Sequence, residues 1–499
     1  MAIKRYTADA DNTLTNAFET NLVTRGTGSN MGRADILEVF HIFGQESSTS
    51  QELSRVLINF PVSDISTDRT NGDVPASGSV SFYLRMFNAP HASTIPRDIT
   101  LSVMPVSQSW EEGYGLDMEN YSDLTYDQTG SNWVNAGSGS TWTTAGGDFL
   151  DQNKNENVFD IAMEDGTEDI ELDITPLVED WIKGSGDSGV DNYGIVVRLT
   201  SSIETGGTTQ YTKKFFARSS QYFFKRPLIE ARWDSSTTDD RGNFYYSSSI
   251  APAADNLNTL YLYNVIRGQL VDIPGTDQGA IYVSVYSGSD DNSEPSASKL
   301  QLSIGGDVAA VNDLNITGGY VSTGIYSATF AVTAAATPLT RLFDIWHDDA
   351  GVEFHTASIT PKTFGSSNYN LNYELVEKVT NLKAVYHVDE KTTRFRLYTR
   401  QKNWNPNIYT KAIAQIENYP VETVYYSLYR TYDQYPIFAY GTGSSDHNCT
   451  KLSLDTTGSY FDIDVDALEP GYSYTLRFIY YLSNKYVEGE KEFKFRVEK

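Results

Sequence analysis

Two groups of carboxylates are the first places where this chain could do chemistry. Glu111 and Glu112 follow Trp110, and a carboxylate pair beside an aromatic is the minimum that glycoside hydrolysis requires. That reaction also needs a defined separation between the two groups, which adjacency along the chain does not supply. Asp462, Asp464 and Asp466 alternate in FDIDVDAL. Three hard oxygen donors invite a calcium ion. A two-residue period instead places them on the outer face of a strand, with Phe461, Ile463 and Val465 turned to a core. The six histidines, at 41, 91, 347, 355, 387 and 447, are scattered, and Cys449 is the single cysteine. HExxH, GxSxG and GxxxxGK[ST] are all missing from the sequence, so zinc-hydrolase, serine-hydrolase and phosphate-loop chemistry have no template. No catalytic, cofactor-binding or metal-ligating residue is assigned.

Two basic stretches are candidates for protein contact instead. One is KTTRFRLYTRQK, where Lys391, Arg394, Arg396, Arg400 and Lys402 interleave with Phe395, Leu397 and Tyr398. The other is KKFFARSSQYFFKR, where Lys213, Lys214, Lys225 and Arg226 flank an aromatic run. Arginine and aromatic residues are enriched at interfaces. The same patterns also suit a solvated strand face or an edge strand guarded by charge.

The elements that would carry these residues are mostly strands. Alternating apolar positions mark strands at 34–43, 51–60, 77–87 and 100–106. Further strands are expected at 259–265, 279–286, 299–304, 324–332, 341–346, 352–359, 391–402 and 424–430. Residues 1–30 read as an arm or a first edge strand. One helix is expected in LDITPLVEDWIKG. Thr175 is its cap, Pro176 sits in its first turn, Leu177, Val178, Trp181 and Ile182 share a face, and Gly184 stops it. Polar segments at 234–240 and 361–369 divide the chain into three expected domains, 1–235, 236–365 and 366–499.

Composition agrees with a β-rich chain of 499 residues, with 34 Tyr, 23 Phe and 37 Gly. No apolar run approaches the ~20 residues of a membrane helix, and the first residues hold no apolar signal core. A lone cysteine excludes a disulfide framework, so maturation in a reducing cytosol is expected. Net charge is −27, from 38 Lys and Arg against 65 Asp and Glu. Nucleic acid and anionic membranes are therefore not expected partners. The charge is uneven: −17 over 1–235, −9 over 236–365 and −1 over 366–499.

Several separated motifs over residues 25–233 resemble the DNRLRE family, a jelly-roll module of bacterial surface and secreted proteins. They are Asn30 and Gly32, Arg55 in its strand, Trp110 to Gly113, Trp142 to Asp148, then Asp173, Thr175, Val178, Trp181 and Gly184, Asn192-Tyr193-Gly194, and Phe216, Arg218 and Ser219 with Pro227 to Ile229. Near the end, Leu468-Glu469-Pro470-Gly471 followed by Tyr474 resembles the fibronectin type III step in which the tyrosine forms a corner. The fold class these imply is all-β: an N-terminal jelly-roll sandwich followed by two immunoglobulin/fibronectin-like β-sandwiches. From MAIKRYTADADNTLTNAF through TRGTGSNMG, FYLRMFNA, LDMENYSDLTYD, RWDSSTTDDRGNFYYSSSIAPAADNLNTLYLYN and GGYVSTGIYSA, the chain resembles virion structural proteins of contractile-tailed phages that infect cyanobacteria.

That resemblance implies a non-enzymatic, multicopy virion component made in the host cytoplasm and carried on the particle, at the neck or collar of the tail. The outer tail and the capsid surface are rival positions. Its partners would be other virion proteins (neck, tail or fibre components) and copies of itself. A glycan-binding adhesin recognising a host-surface glycan, and an enzyme acting on host polysaccharide, remain alternatives, because sandwich folds host unrelated activities. Since 366–499 is nearly neutral, that end is expected to dock and the acidic jelly roll to project.

Overall fold

A computed structural model describes residues 2–19, 21–44, 50–91, 94–116, 130–150, 157–276, 279–288, 299–306, 314–333, 339–362, 374–402, 420–442 and 450–499. It divides into two compact units, one of Ala2–Trp233 with Asp466–Glu469, the other of Asp234–Val465 with Pro470–Lys499.

The first unit is a jelly-roll sandwich. Its small sheet runs Ala2–Thr7, Leu228–Trp233, Ser81–Met86, Ile170–Asp173, and its large sheet runs Gln210–Phe216, Ile36–Phe43, Gln51–Asn59, Ile195–Leu199, Ile99–Pro105, Phe159–Met163. The pairs are antiparallel. The two sheets turn one face each towards the other, and these inner faces share a core holding Leu37, Val56, Ile58, Phe82, Leu84, Leu101, Val197, Phe215 and Ile229. The first residues are not an arm: Ala2–Thr7 is an edge strand and Ala10–Thr15 pairs with Gln51–Asn59, with Asp11 to Thr15 fully buried.

The expected helix is present as Thr175–Lys183, with Leu177, Val178 and Trp181 buried and Gly184 at its end. Its cap differs from the expectation. Ile174 occupies the cap position, and the Asp173 carboxylate accepts the Thr175 N–H at 2.9 Å and its hydroxyl at 2.6 Å. A second helix, Val62–Asn71, carries no amphipathic stripe and buries only Val62 and Ile65. Side-chain bonds hold it: Arg69 grips Glu179 of the first-named helix through both nitrogens at 2.8 and 2.7 Å, and Asp68 takes the Tyr6 hydroxyl and the Lys4 ammonium.

The outer side of the small sheet carries a charge cluster. Glu230, 3% exposed, meets Arg5 and Arg232 at 2.8 and 2.7 Å and Arg85 at 3.8 Å. Glu171 caps the group through Arg232 and Arg85. Burial pushes the Glu230 carboxyl up, but the three guanidiniums together hold it down at about 2.

The second unit contains two β assemblies. In the first, the strands run Asn258–Tyr263, Ile325–Val332, Ile316–Ser322, Ile281–Gly288, Arg341–His347, Glu353–Ile359, around Phe244, Val283, Tyr326, Phe330 and Trp346. The strand expected at 299–304 shrinks to Leu302–Ser303. In the second, one sheet runs Leu375–Val379, Thr392–Gln401, Gly458–Asp464, Ser453–Asp455, and the other runs Val385–His387, Phe493–Glu498, Ser473–Leu482, Val424–Arg430, Pro436–Phe438. This is the ABED/CFG order of an immunoglobulin-like sandwich. Val385–His387 crosses over to pair in parallel with the last strand. Tyr474 stands at the start of the strand where a tyrosine corner belongs and is fully buried against Phe495. Much of the aromatic excess goes into this core, where Phe461 stacks on Tyr426 at 4.5 Å and on Phe395 at 5.4 Å.

The polar segment after Trp233 is not a loose linker. Leu454 accepts from the Asp239 N–H and donates to Thr237 O, so this stretch extends the sheet past Ser453–Asp455. Just beyond it, Arg241 forms an ion pair with the fully buried Asp344 and approaches Asp239 at 4.0 Å. The Trp346 indole N–H donates to the other Asp344 oxygen at 2.8 Å. The Tyr460 hydroxyl joins those of Thr237 and Tyr263. The two sandwiches of 234–499 are thereby bonded through the segment 237–241 that leads into the first of them and through Tyr263. Of the polar stretch expected at 361–369, residues 363–369 lie outside the described residues, while Lys362 bridges to Tyr245.

Candidate functional site

The basic strand Thr392–Gln401 lies inside its sheet, and most of its cations are matched there. Arg394 takes Asp462 in a two-pronged bond at 2.9 Å each and stacks over Tyr460. Arg396 reaches Asp455 at 2.9 Å and Thr457, and Lys402 pairs with Glu374 at 3.0 Å. Arg400 donates to Gln401 O, and neither it nor Lys391 has an ion pair among the described residues. The strip therefore presents much less positive charge than its sequence suggests. Asp462 and Asp464 do face outward while Phe461 and Ile463 are buried, and both are committed, to Arg394 and to the Thr392 hydroxyl. Asp466 leaves the strand in a 3₁₀ turn. Among the described residues, no three His, Cys, Asp or Glu side chains converge as metal ligands. Cys449 and His447 lie outside the described residues.

The second basic group separates into different roles. Lys213 is fully buried and cannot contact a partner. Its ammonium donates to Asn88 Oδ1, Gly166 O and Glu168 O at 2.7, 3.0 and 2.8 Å. Burial pulls its pKa down to about 8, against the opposing pull of Glu168 and Asp169. Lys214 pairs with Glu38 on the neighbouring strand. Lys225 lies over Phe216, and Arg226 bonds Ser220 O at 2.9 Å and lies over Phe223. Gln210–Phe216 ends the sheet order with a bulge between Gln210 and Lys213, and its outer edge is covered where Asn88 bridges Phe215, the Phe216 N–H donating to Phe87 O and the Ala89 N–H to Lys214 O.

Glu111 and Glu112 diverge. Glu111 accepts the Ser138 N–H at 2.8 Å, and Glu112 takes the Asp11 N–H at 3.0 Å and the Arg218 guanidinium at 2.7 Å. Asp11, fully buried, accepts the Arg218 N–H through one oxygen. Burial pushes the Asp11 carboxyl up to about 7, the Arg218 N–H opposes this, and the Glu112 charge adds to it. A raised folded pKa means the fold prefers the protonated acid, so stability declines as pH rises from about 4 through 7. Asp11→Asn should therefore be more stable than the parent at pH 8, by about 1–3 kcal/mol, with the difference closing near pH 4. Urea unfolding at both pH values measures it, and a variant less stable than the parent at pH 8 would refute the burial argument.

A feature the sequence motifs did not announce lies on the large sheet's outer side. A satellite core of Leu14, Leu57, Val106, Trp133, Trp142 and Val196 covers that face, and beside it opens a cleft of about 490 Å³. Arg55 and Arg198 stand at its base and share one partner, Glu204, which is 4% exposed. Arg55 bonds both Glu204 oxygens at 3.1 and 2.7 Å and Gly146 O at 2.9 Å, and lies 5.1 Å from the Trp133 ring and 5.5 Å from the Phe149 ring. Phe149 forms one wall. It can close on the backbone because residue 147 is glycine at φ 107°, where a Cβ would stand 2.4 Å from the ring. Asp148 accepts the Thr143 and Thr144 N–H groups at 2.7 and 2.9 Å and so shapes the rim.

No family model and no curated protein matches the chain. Solved structures overlap it at low identity. The N-terminal Ig1-2 module of the Drosophila receptor protein tyrosine phosphatase DLAR is 10% identical, over 49% of this chain and 91% of that one, with a TM-score of 0.14. A marsupial T cell receptor is 13% identical over 52% and 71%, at 0.16, and a DUF4785 family protein from Legionella pneumophila is 8% identical over 93% and 90%, at 0.13. TM-scores of this size carry no argument, and the fold stands on its own sheet order.

Proposed function

We propose that this chain is a non-enzymatic, multicopy structural component of a phage virion, built into the neck or collar region of a contractile tail. Its partners are neighbouring virion proteins and further copies of itself, and fibres are a candidate cargo of the projecting end. The observation that carries the reading, together with the resemblance of the sequence, is the bonded junction in 234–499. Two sandwiches tied by an added strand, a buried Arg241–Asp344 ion pair and linked tyrosine hydroxyls make a spacer that transmits force rather than a flexible tether.

Near-neutral 366–499 remains the better end for packing copies side by side, since like charges within about 8 Å repel at physiological salt. The matched cations of Thr392–Gln401 shift the weight of that attachment from charge to shape. Quantitative mass spectrometry of purified particles should find the protein at many copies, and finding it only in infected lysate would refute the proposal. Removing 1–233 should leave incorporation largely intact, whereas removing 234–499 should abolish it. The C-terminal deletion starts at 234 because a cut at 365 would strip Thr237–Asp239 of its partner strand. The reverse pattern would make the jelly roll the anchor.

A further inference from the structure

We infer that Lys213 and Asn88 are joined by an isopeptide bond that the folded jelly roll forms on itself. The inference does not depend on where the protein sits on a particle. Lys213 Nζ lies 2.7 Å from Asn88 Oδ1, although the two residues are 125 apart in the chain. One C=O bond of about 1.23 Å separates Oδ1 from Cγ, so the amine stands within about 4 Å of a carboxamide carbon. Reacting atoms in a near-attack arrangement are about 3–3.5 Å apart. The backbone fixes the pair. The Asn88 N–H donates to Asp169 Oδ1 at 2.7 Å, Asn88 bridges Phe215, and the Ala89 N–H donates to Lys214 O. An amide between the two side chains ties the end of Ser81–Met86 in the small sheet to Gln210–Phe216 in the large one.

The surroundings supply what the reaction needs. The nucleophile must be an uncharged amine. Lys213 is fully buried, with the Phe215 ring 4.9 Å from Nζ, and burial brings its pKa down to about 8. The electrophile must be polarised. A carbonyl oxygen only accepts, so the His91 Nε2, 2.9 Å from Asn88 Oδ1, carries the proton between them. That N–H stays on the oxygen as it turns anionic. A proton carrier must stand close by. Glu168 offers its backbone O to Nζ at 2.8 Å, and its carboxylate Oε2 is buried with no hydrogen-bond partner. The neutral Nζ attacks Cγ, and the Nζ–Cγ bond forms. Glu168 takes one proton from Nζ and hands it to Nδ2. The Cγ–Nδ2 bond then breaks, ammonia leaves, and the carboxylate is back in its starting state. No oxidant, reductant or co-reactant enters. A purely structural ammonium needs three acceptors and nothing more. The imidazole on the same carboxamide, and the acid oxygen left without a partner, exceed that role.

Intact mass spectrometry of the full folded chain should give a mass lower than that of the sequence by one ammonia. Trypsin does not cut after an acylated lysine, so peptide 86–97 should appear joined to 199–214 in one branched species. Asn88→Ala and Lys213→Met should each show the unlinked mass of their own sequence. Glu168→Gln keeps both reacting side chains and removes the proton carrier. Its linking should slow by about a hundredfold or more, read as the linked fraction in freshly expressed protein. If Asn88→Ala or Lys213→Met fails to fold, the parent mass and its branched peptide decide alone. A parent chain at its full sequence mass, or an ammonia loss with 86–97 and the Lys213 peptide recovered separately, would overturn the link. A Glu168→Gln chain linked as fast as the parent would overturn the proton path.

Discussion

Glu230→Ala should lower the stability of the jelly roll by about 3–5 kcal/mol. The carboxylate is nearly inaccessible and is the shared counter-ion of Arg5, Arg232 and Arg85. Without it, three guanidiniums face one another across adjacent strands, with Glu171 as the remaining acid. The cost is the penalty of uncompensated charge, rather than the loss of a favourable contact. The pH dependence gives an independent reading. The folded pKa of about 2 lies below the ordinary glutamate value of 4.5. The stabilisation is therefore complete above about 4.5 and is lost as pH falls through 2. Its size is about 3 kcal/mol at one pKa unit per 1.36 kcal/mol. Chemical denaturation at pH 7 and pH 3 should show a gap between parent and Glu230→Gln that narrows in acid. A loss below about 1 kcal/mol for Glu230→Ala, or a gap that does not change with pH, would mean that the three arginines are solvated and the cluster is ornamental.

The second large effect is expected at Asp344. It is fully buried and receives both the Arg241 guanidinium and the Trp346 indole N–H. Asp344→Ala strands both donors, and a cost of about 3–5 kcal/mol follows from the ion pair alone. Arg241→Met combined with Asp344→Leu should recover part of it, because the ion pair then leaves as a unit, while the buried Asp239 still loses the guanidinium 4.0 Å away. The damage should also be local. Arg241 stands two residues after Asp239, whose N–H bonds Leu454 O, so freeing Arg241 loosens the added strand. Trypsin should cut after Arg241 in Asp344→Ala faster than in the parent, and mass spectrometry of the fragments locates the cut. An unaltered cleavage pattern together with an unaltered melting temperature would show that the junction is held by something other than this pair.

These clusters differ in how visible they are in the sequence. Strands with a regular alternation, such as Ser81–Met86 and Asn258–Tyr263, are legible because burial follows the two-residue period. The same rule holds the clue to Lys213, which is two residues from core Phe215 and so shares its inward face. A basic run reads as surface, and composition overrode the alternation. Arg394 and Asp462 are 68 residues apart. Their pairing depends on strand order, so the charge of Thr392–Gln401 could be counted from the sequence and its neutralisation could not. The helix Val62–Asn71 has no stripe to read, since ion pairs from Arg69 and Asp68 hold it in place of a packed face. The cleft draws on residues from Arg55 to Ser201. Of these, Arg55 and the run from Trp142 to Asp148 belong to recognisable motifs, while Arg198 and Ser201 carry no local signal.

The pairing of Ala2–Thr7 with Leu228–Trp233 bears on how the protein is made. Ala2–Thr7 leaves the ribosome with its partner strand more than two hundred residues downstream. At about 5–20 residues per second, it waits roughly 10–45 s for that partner to emerge. Until then Ile3 and Tyr6, buried in the finished sandwich, are exposed on a nascent chain beside an unmatched strand edge. Slowing translation should lengthen this window and increase aggregation, and a holding chaperone that shields the first fifteen residues should relieve it.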